Sequence, residues 1–195
     1  MATNPAPKIT EEEYLALDRA AEFRSEYING EVFAMAGTSL NHFRIQRNIS
    51  AELYNALRGS GCEAGGSDMR VRVSGRMYAY PDVLVICGRP VLADDLKDVL
   101  LNPFVIFEIL SPSTAHYDRG PKFKQYRAIE SLKEYVLVDQ NQVLIERFSR
   151  QDSGVWTFRD YQSLDDELNI DTIGASVPLR RVYYQVEFPE QPDLA

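Results

Sequence analysis

Tyr80-Pro81-Asp82-Val83-Leu84-Val85-Ile86, Phe104-Val105-Ile106-Phe107-Glu108-Ile109-Leu110-Ser111-Pro112-Ser113 and Asp118-x-x-x-Lys122-x-x-x-Tyr126 follow one another within a single stretch of the chain. The first two read as apolar strands, each carrying one carboxylate, and the third as a helix bearing a lysine. A bare carboxylate in an apolar strand costs several kcal/mol, on the order of the desolvation penalty, unless a cation meets it. Two such acids followed by a lysine therefore call for a partner: a metal ion, or the lysine itself. Asp118, Lys122 and Tyr126 are spaced by four and stack on one helical face.

Working outward, Glu134-Tyr135-Val136-Leu137-Val138-Asp139 is another strand. Gln140-Asn141 turns it into a strand over 143–148, and a third over 155–161 extends the meander. Upstream, Asp68-Met69-Arg70-Val71-Arg72-Val73 alternates, with the charged residues on one face and the apolar ones on the other. That strand either turns its charges to water or lays Arg70 and Arg72 beside a phosphate backbone. Ser74-Gly75 turns the chain toward Asp82.

Nearer the N-terminus, Thr10-Glu11-Glu12-Glu13 has the form of a capping box. A helix over 11–21 should follow, burying Tyr14, Leu15 and Leu17. Asn29-Gly30 between apolar residues predicts a two-residue hairpin. Ser39 can cap a helix over 41–58, with Phe43, Ile49, Leu53 and Leu57 inward and His42 in its first turn. Residues 88–102 read as a loop with a short helix near 94–99. Asp118 is placed as the cap of a helix to about 131 that carries Pro121 in its first turn. A short helix over 177–184 closes the fold. The expected domain plan is a flexible lead over 1–9, one α/β domain over 10–186 and a disordered tail over 187–195.

The 195 residues are 45% hydrophobic, enough for a sizeable core, and no apolar run approaches a membrane span. Cys62 and Cys87 have no histidine neighbours, fit no zinc spacing or disulfide framework, and read as small buried apolar residues. A reducing cytoplasm fits them. The net charge of −8 argues against strong non-specific nucleic-acid binding and suits a carboxylate-rich site offset by a divalent ion.

Asp82, Glu108 and Lys122 are the residue types that phosphodiester hydrolysis uses. Hard divalent cations prefer oxygen ligands, and a lysine can orient water and steady developing charge. The backbone carbonyl of Ile109, next to Glu108, is a further candidate ligand. Tyr126 lies one turn below the lysine, a packing residue with its hydroxyl at the rim.

The ordered set Glu26-Tyr27-Ile28-Asn29-Gly30-Glu31, His42, Asp68-x-Arg70-Val71, Pro81-Asp82-Val83, Glu108-Ile109-Leu110-Ser111-Pro112-Ser113, Asp118-x-x-x-Lys122-x-x-x-Tyr126 and Glu134-Tyr135-x-Leu137-Val138-Asp139 resembles the Uma-type family of restriction endonucleases within the PD-(D/E)XK nuclease superfamily. The resemblance spans residues 11–184. It implies a restriction-endonuclease-like core, a mixed central β-sheet flanked by helices. It also implies a Mg²⁺- or Mn²⁺-dependent DNA endonuclease. In that reading Asp82, Glu108 and Glu26 hold the metal and Lys122 is the catalytic lysine, with His42 near the metal or the scissile phosphate. Arg70, Arg72 and Tyr126 are placed with the nucleic acid, and cutting both strands suggests a homodimer. One departure stands out: the lysine usual two residues after the second acid is Leu110 here, so its role passes to Lys122. Two other readings are a non-catalytic nucleic-acid- or protein-binding module on the same fold, and a hydrolase of smaller phosphate esters.

Overall fold

The computed structural model describes residues 8–35, 37–73 and 76–189. The chain opens with α1 (Glu11–Ala20), the hairpin β1 (Ser25–Ile28) and β2 (Glu31–Ala34), and α2 (Leu40–Ala56). Strands β3 (Cys62–Gly66), β4 (Arg70–Val73), β5 (Met77–Ala79), β6 (Val83–Cys87), β7 (Val99–Leu100) and β8 (Val105–Leu110) follow. A helical segment then runs through α3 (Ala115–Tyr117), a π turn (Asp118–Lys122) and α4 (Phe123–Tyr126). The meander β9 (Glu134–Asp139), β10 (Ile145–Arg150) and β11 (Trp156–Tyr161) leads to the hairpin β12 (Glu167–Ile170) and β13 (Ala175–Pro178), and then α5 (Leu179–Val182).

Two mixed sheets form the frame. One has the order β11-β10-β9-β8-β6-β3, with β8 and β9 parallel. The other has the order β2-β1-β5-β4-β7. Every residue of β8 is buried, because both faces of its sheet are covered. Val83, Val85, Val105, Phe107, Ile109, Val136 and Val138 meet α2 and the C-terminal hairpin on one side. Leu84, Ile106, Leu110 and Tyr135 face the second sheet and α4 on the other. Strand alternation puts Glu108 on this second face, between Ile106 and Leu110. The restriction-endonuclease-like α/β architecture is therefore present, with the second acid aimed into the layer between the two sheets.

Local signals explain several elements. The Thr10–Glu13 capping box closes in both directions, at 2.7 and 3.2 Å. Asn29 and Gly30 both adopt positive φ, 51° and 94°, as a two-residue hairpin turn requires. Ser39 Oγ accepts the amide of His42 at the start of α2.

Other expectations are corrected. Leu17 is exposed, because the inward face of α1 carries Tyr14 and Asp18 instead. Phe43 is also exposed; the frame of α2 is Ile45-Ile49-Leu53, which leaves position 43 outside it. No helix forms over 94–99. Lys97 is left-handed there (φ 59°), and the loop is held by Asp94 and Asp98 on Arg19. The last helix begins only at Leu179, after β13. Ile9, Glu187 and Phe188 are engaged: Ile9 N–H bonds the Gly30 carbonyl at 3.0 Å, Glu187 pairs with Arg44 at 3.0 Å, and the Phe188 ring meets that of Tyr183. The rest of the expected lead and tail, 1–7 and 190–195, and the Ser74-Gly75 turn lie outside the described residues.

The two cysteines are not free apolar residues. Cys62 and Cys87 are directly opposed in the β3–β6 register and form a disulfide. Register across two strands is invisible in a 25-residue sequence separation. The bond withdraws the argument from free thiols for a reducing compartment. Closing a loop of that length should stabilise the fold by about 3 kcal/mol. Urea unfolding with and without reductant should show that loss, and Cys62→Ser/Cys87→Ser should reproduce it. Equal midpoints in all three samples would contradict it.

Candidate metal and hydrolytic centre

Asp82 sits immediately before β6. The β6–β8 register pairs Val83 with Phe107, so the next step places Asp82 opposite Glu108. Asp82 Oδ2 accepts the Ile109 amide at 2.7 Å and lies 3.2 Å from His42 Nε2. Gln46 Nε2 donates to the Asp82 carbonyl at 2.8 Å. Both Asp82 side-chain bonds use Oδ2. In an extended strand a residue's N–H and C=O point the same way, so the Ile109 carbonyl also faces this side.

Lys122 is the centre of charge. Its Nζ lies 2.9 Å from Glu108 Oε1, 3.1 Å from Glu26 Oε1 and 3.6 Å from Asp118 Oδ1. Glu26 comes from β1 of the other sheet, and Asp118 from the start of the π turn. Tyr126 donates its hydroxyl to Glu108 Oε1 at 2.9 Å. The Tyr135 hydroxyl caps the Asp118 carbonyl at 3.1 Å. All of these groups are buried or nearly so, with Glu108, Asp118 and Lys122 each no more than 5% exposed.

Three carboxylates around one ammonium, with Asp82 close to Glu108, leave negative charge over. Burial pushes the Glu108 carboxyl well up; Lys122 pulls it back, and Asp82, Asp118 and Glu26 raise it further. Asp118 is raised in the same way, first by burial. Burial disfavours the Lys122 ammonium, but Glu108, Glu26 and Asp118 overcome this and hold it charged well above the ordinary lysine range. The donors are all oxygens, the set that Mg²⁺ and Mn²⁺ prefer, and the surplus charge is the kind a divalent ion answers. Among the described residues no three Asp, Glu, His or Cys side chains already form a closed metal cage. Glu26 and Glu108 are turned to Lys122 instead.

The structure thus brings Glu26, Asp82, Glu108, Lys122, His42 and Ile109 to one place. Three expected nucleic-acid contacts do not face a bound polymer. Arg70 is inside, 3% exposed, with Nη2 on Asp18 Oδ2 at 2.6 Å, Nη1 on Asp98 Oδ2 at 3.0 Å and Nε on the Tyr80 hydroxyl at 2.9 Å. A guanidinium so enclosed is not open to phosphate. Tyr126 is fully buried, so its hydroxyl serves Glu108 and not a rim. Arg72 remains partly exposed but turns toward Glu11, 3.4 Å away, on the face of the sheet opposite to that of Glu26.

Asp118 belongs to the cluster, although its sequence position suggested only a cap. The helix begins earlier, at Ala115, after Ser111 has taken the amides of Thr114 and Ala115. Pro121 then falls inside the π turn, where its missing N–H is accommodated. The i,i+4 spacing to Lys122 was the available signal. Gln46, one turn after His42, carried no signal of its own.

Such a layered α/β frame, mixed sheets flanked by helices, is that of the restriction-endonuclease-like nucleases. A crystal structure of "a putative nuclease belonging to DUF820" from Anabaena variabilis ATCC 29413 superimposes with a TM-score of 0.74, covering 90% of this chain and 97% of that one at 16% identity. The family model Uma2, described as "Putative restriction endonuclease", matches residues 11–180, and the chain belongs to that family. Two uncharacterized proteins of Synechocystis sp. (strain ATCC 27184 / PCC 6803 / Kazusa) are close in sequence. One, slr1290, is 36% identical over 187 residues, covering 94% of this chain and 96% of its own. The other, sll1609, is 35% identical over 161 residues, covering 82% and 91%. No helix among the described residues is long and apolar enough to cross a membrane.

Proposed function

We propose that the protein is a metal-dependent endonuclease that hydrolyses phosphodiester bonds in DNA. The observation that carries this reading is the excess of buried carboxylate around Lys122. Asp82, Glu108 and Glu26, with the Ile109 carbonyl, would hold Mg²⁺ or Mn²⁺. Such an ion, when bound, acidifies a coordinated water and offsets charge on the phosphate. Lys122, held charged, orients the attacking water and steadies negative charge at the phosphoryl oxygens. Gln46 and the Ile109 amide fix the Asp82 peptide and carboxylate. His42 adds a donor beside Asp82 through Nε2, while its Nδ1 is buried and meets no hydrogen-bond partner among the described residues. Two cuts on opposite strands need two such sites, which favours a homodimer, and a cytoplasmic setting suits DNA as substrate.

Calorimetric titration of Mn²⁺ tests this directly. Wild type should bind the ion, and Asp82→Ala/Glu108→Ala should not. Binding that survives in the double variant would remove the assignment. A second reading, a binding module without catalysis, draws on the closed Glu108–Lys122–Glu26 arrangement and on Leu110, buried where the usual lysine stands. That module would bind no Mn²⁺ through these acids, even with duplex DNA present.

A further inference from the structure

We propose that the outer face of α2 and α5 is the surface on which the phosphate backbone of duplex DNA docks; this rests on the reading of the chain as a DNA endonuclease. The cleft itself repels a polyanion, because its acids outnumber its cations, and the whole chain is acidic at −8. A nuclease of this charge needs a cationic face next to the cleft. Arg70, being buried, cannot supply it.

α2 and α5 together carry Arg44, Arg47, Arg180 and Arg181 against one acid, Glu52, and Arg58 follows two residues after α2. This reverses the balance of the rest of the chain. The inward residues of α2 are Ile45, Ile49 and Leu53. Arg47, Ala51, Tyr54 and Arg58 then form one outward stripe at helical spacing. Aromatic rings lie among the charges. The Arg58 guanidinium sits 4.9 Å from the Tyr54 ring centroid and that of Arg47 6.0 Å from the Phe43 ring, and Tyr54 and Tyr184 are about 60% exposed.

The two helices are locked together. Asn48, buried between them, donates to the carbonyls of Val182 at 2.9 Å and Tyr184 at 2.8 Å. Between them lies a groove of about 260 Å³ lined by Asn48, Ala51, Glu52, Arg180, Arg181 and Tyr184. The arginines presently rest on neighbouring acids: Arg181 on half-buried Glu52 at 3.0 Å, Arg44 on exposed Glu187 at 3.0 Å, and Arg180 on exposed Asp165. Surface pairs of this kind are worth little and exchange readily for phosphate oxygens, which a guanidinium grips in bidentate fashion. The same helix reaches the cleft, since His42 and Gln46 on α2 both touch Asp82. The Arg47–Arg58 stripe points away from the sheet, about 130° round the helix from His42 and Gln46, so a duplex on this face reaches the site past the N-terminal end of α2.

The test is binding of a short labelled duplex, followed by fluorescence anisotropy in EDTA so that no cleavage intervenes. Wild type should show affinity that falls steeply between about 50 and 200 mM salt. Arg47→Glu/Arg58→Glu/Arg181→Glu should bind at least about tenfold more weakly, with the log–log salt slope reduced by roughly 2 to 3. Arg47→Lys/Arg58→Lys/Arg181→Lys should retain most of the slope, which separates charge from damage to the fold. Lys124→Glu, exposed on another element, should leave it unchanged. An unaltered slope in the glutamate variant, an equal loss in Lys124→Glu, no salt-dependent binding by wild type, or polyglutamate binding as tightly as DNA would each overturn the proposal. Cleavage by wild type in Mn²⁺, assayed beside the binding in EDTA, separates the two readings. Arginine-dependent binding by a wild type that never cleaves supports the docking face and removes the nuclease.

Discussion

Lys122→Met should slow metal-dependent DNA cleavage by about a hundredfold or more, the usual cost of removing one preorganised donor from a site of developing charge. The same substitution should hold or tighten Mn²⁺ affinity. Lys122 now occupies Glu108 Oε1 and Glu26 Oε1, at 2.9 and 3.1 Å, and so competes with any cation for the same oxygens. Removing the ammonium frees both acids. Single-turnover cleavage and calorimetry on one preparation check both halves. Lost cleavage together with lost metal binding would instead mean that the lysine only holds the carboxylates in place. Cleavage equal to wild type would exclude Lys122 from the chemistry.

Arg70→Met should destabilise the fold by roughly 3–5 kcal/mol, the range for removing one partner of a buried ion pair. Its guanidinium is the only cation within bonding distance of Asp18 Oδ2 among the described residues, and it also reaches Asp98. Without it, Asp18 remains nearly enclosed with only the hydroxyls of Tyr80 and Ser25 and the Ser25 amide to satisfy it. Urea denaturation at neutral pH measures the loss. The pH dependence has a definite sign. Hydrogen bonding from Arg19, opposed by burial and helped by Arg70, lowers the Asp98 carboxyl from 3.8 to about 2. Its folded pKa lies below its unfolded value, so its stabilisation is fully present above about pH 4 and is lost as pH falls toward 2. The difference between wild type and Asp98→Asn should therefore shrink across that window. A constant difference would place the effect in packing rather than in charge.

These two sites show how far residues alone could be read. Glu108 was legible because a charge broke a run of six apolar neighbours, and Lys122 because it stood four residues after Asp118. Arg70 was misread for a physical reason. Alternation sets it with Asp68 and Arg72, and a polar face of a strand ordinarily meets water. Its partner Asp18 lies more than fifty residues earlier on a different element, and only packing brings the two together. Asp118 resembled a cap because aspartate is a favoured N-cap residue and Pro121 suits the first turn of a helix that starts there. The earlier start of the helix at Ala115 moved it inside. Cys62 and Cys87 depended on a strand register that no local pattern encodes.

The four acids and the lysine of the centre come from four separate places: β1 for Glu26, the entry to β6 for Asp82, β8 for Glu108, and the π turn for Asp118 and Lys122. None of these neighbourhoods holds the set alone. During synthesis the lysine leaves the ribosome last of the five, nearly a hundred residues after Glu26, and it must then dock across two sheets before the charges meet. A growing or partly unfolded chain consequently has acids without their cation. For a protein whose proposed target is the cell's own kind of polymer, the cutting centre comes into being only when the whole fold closes.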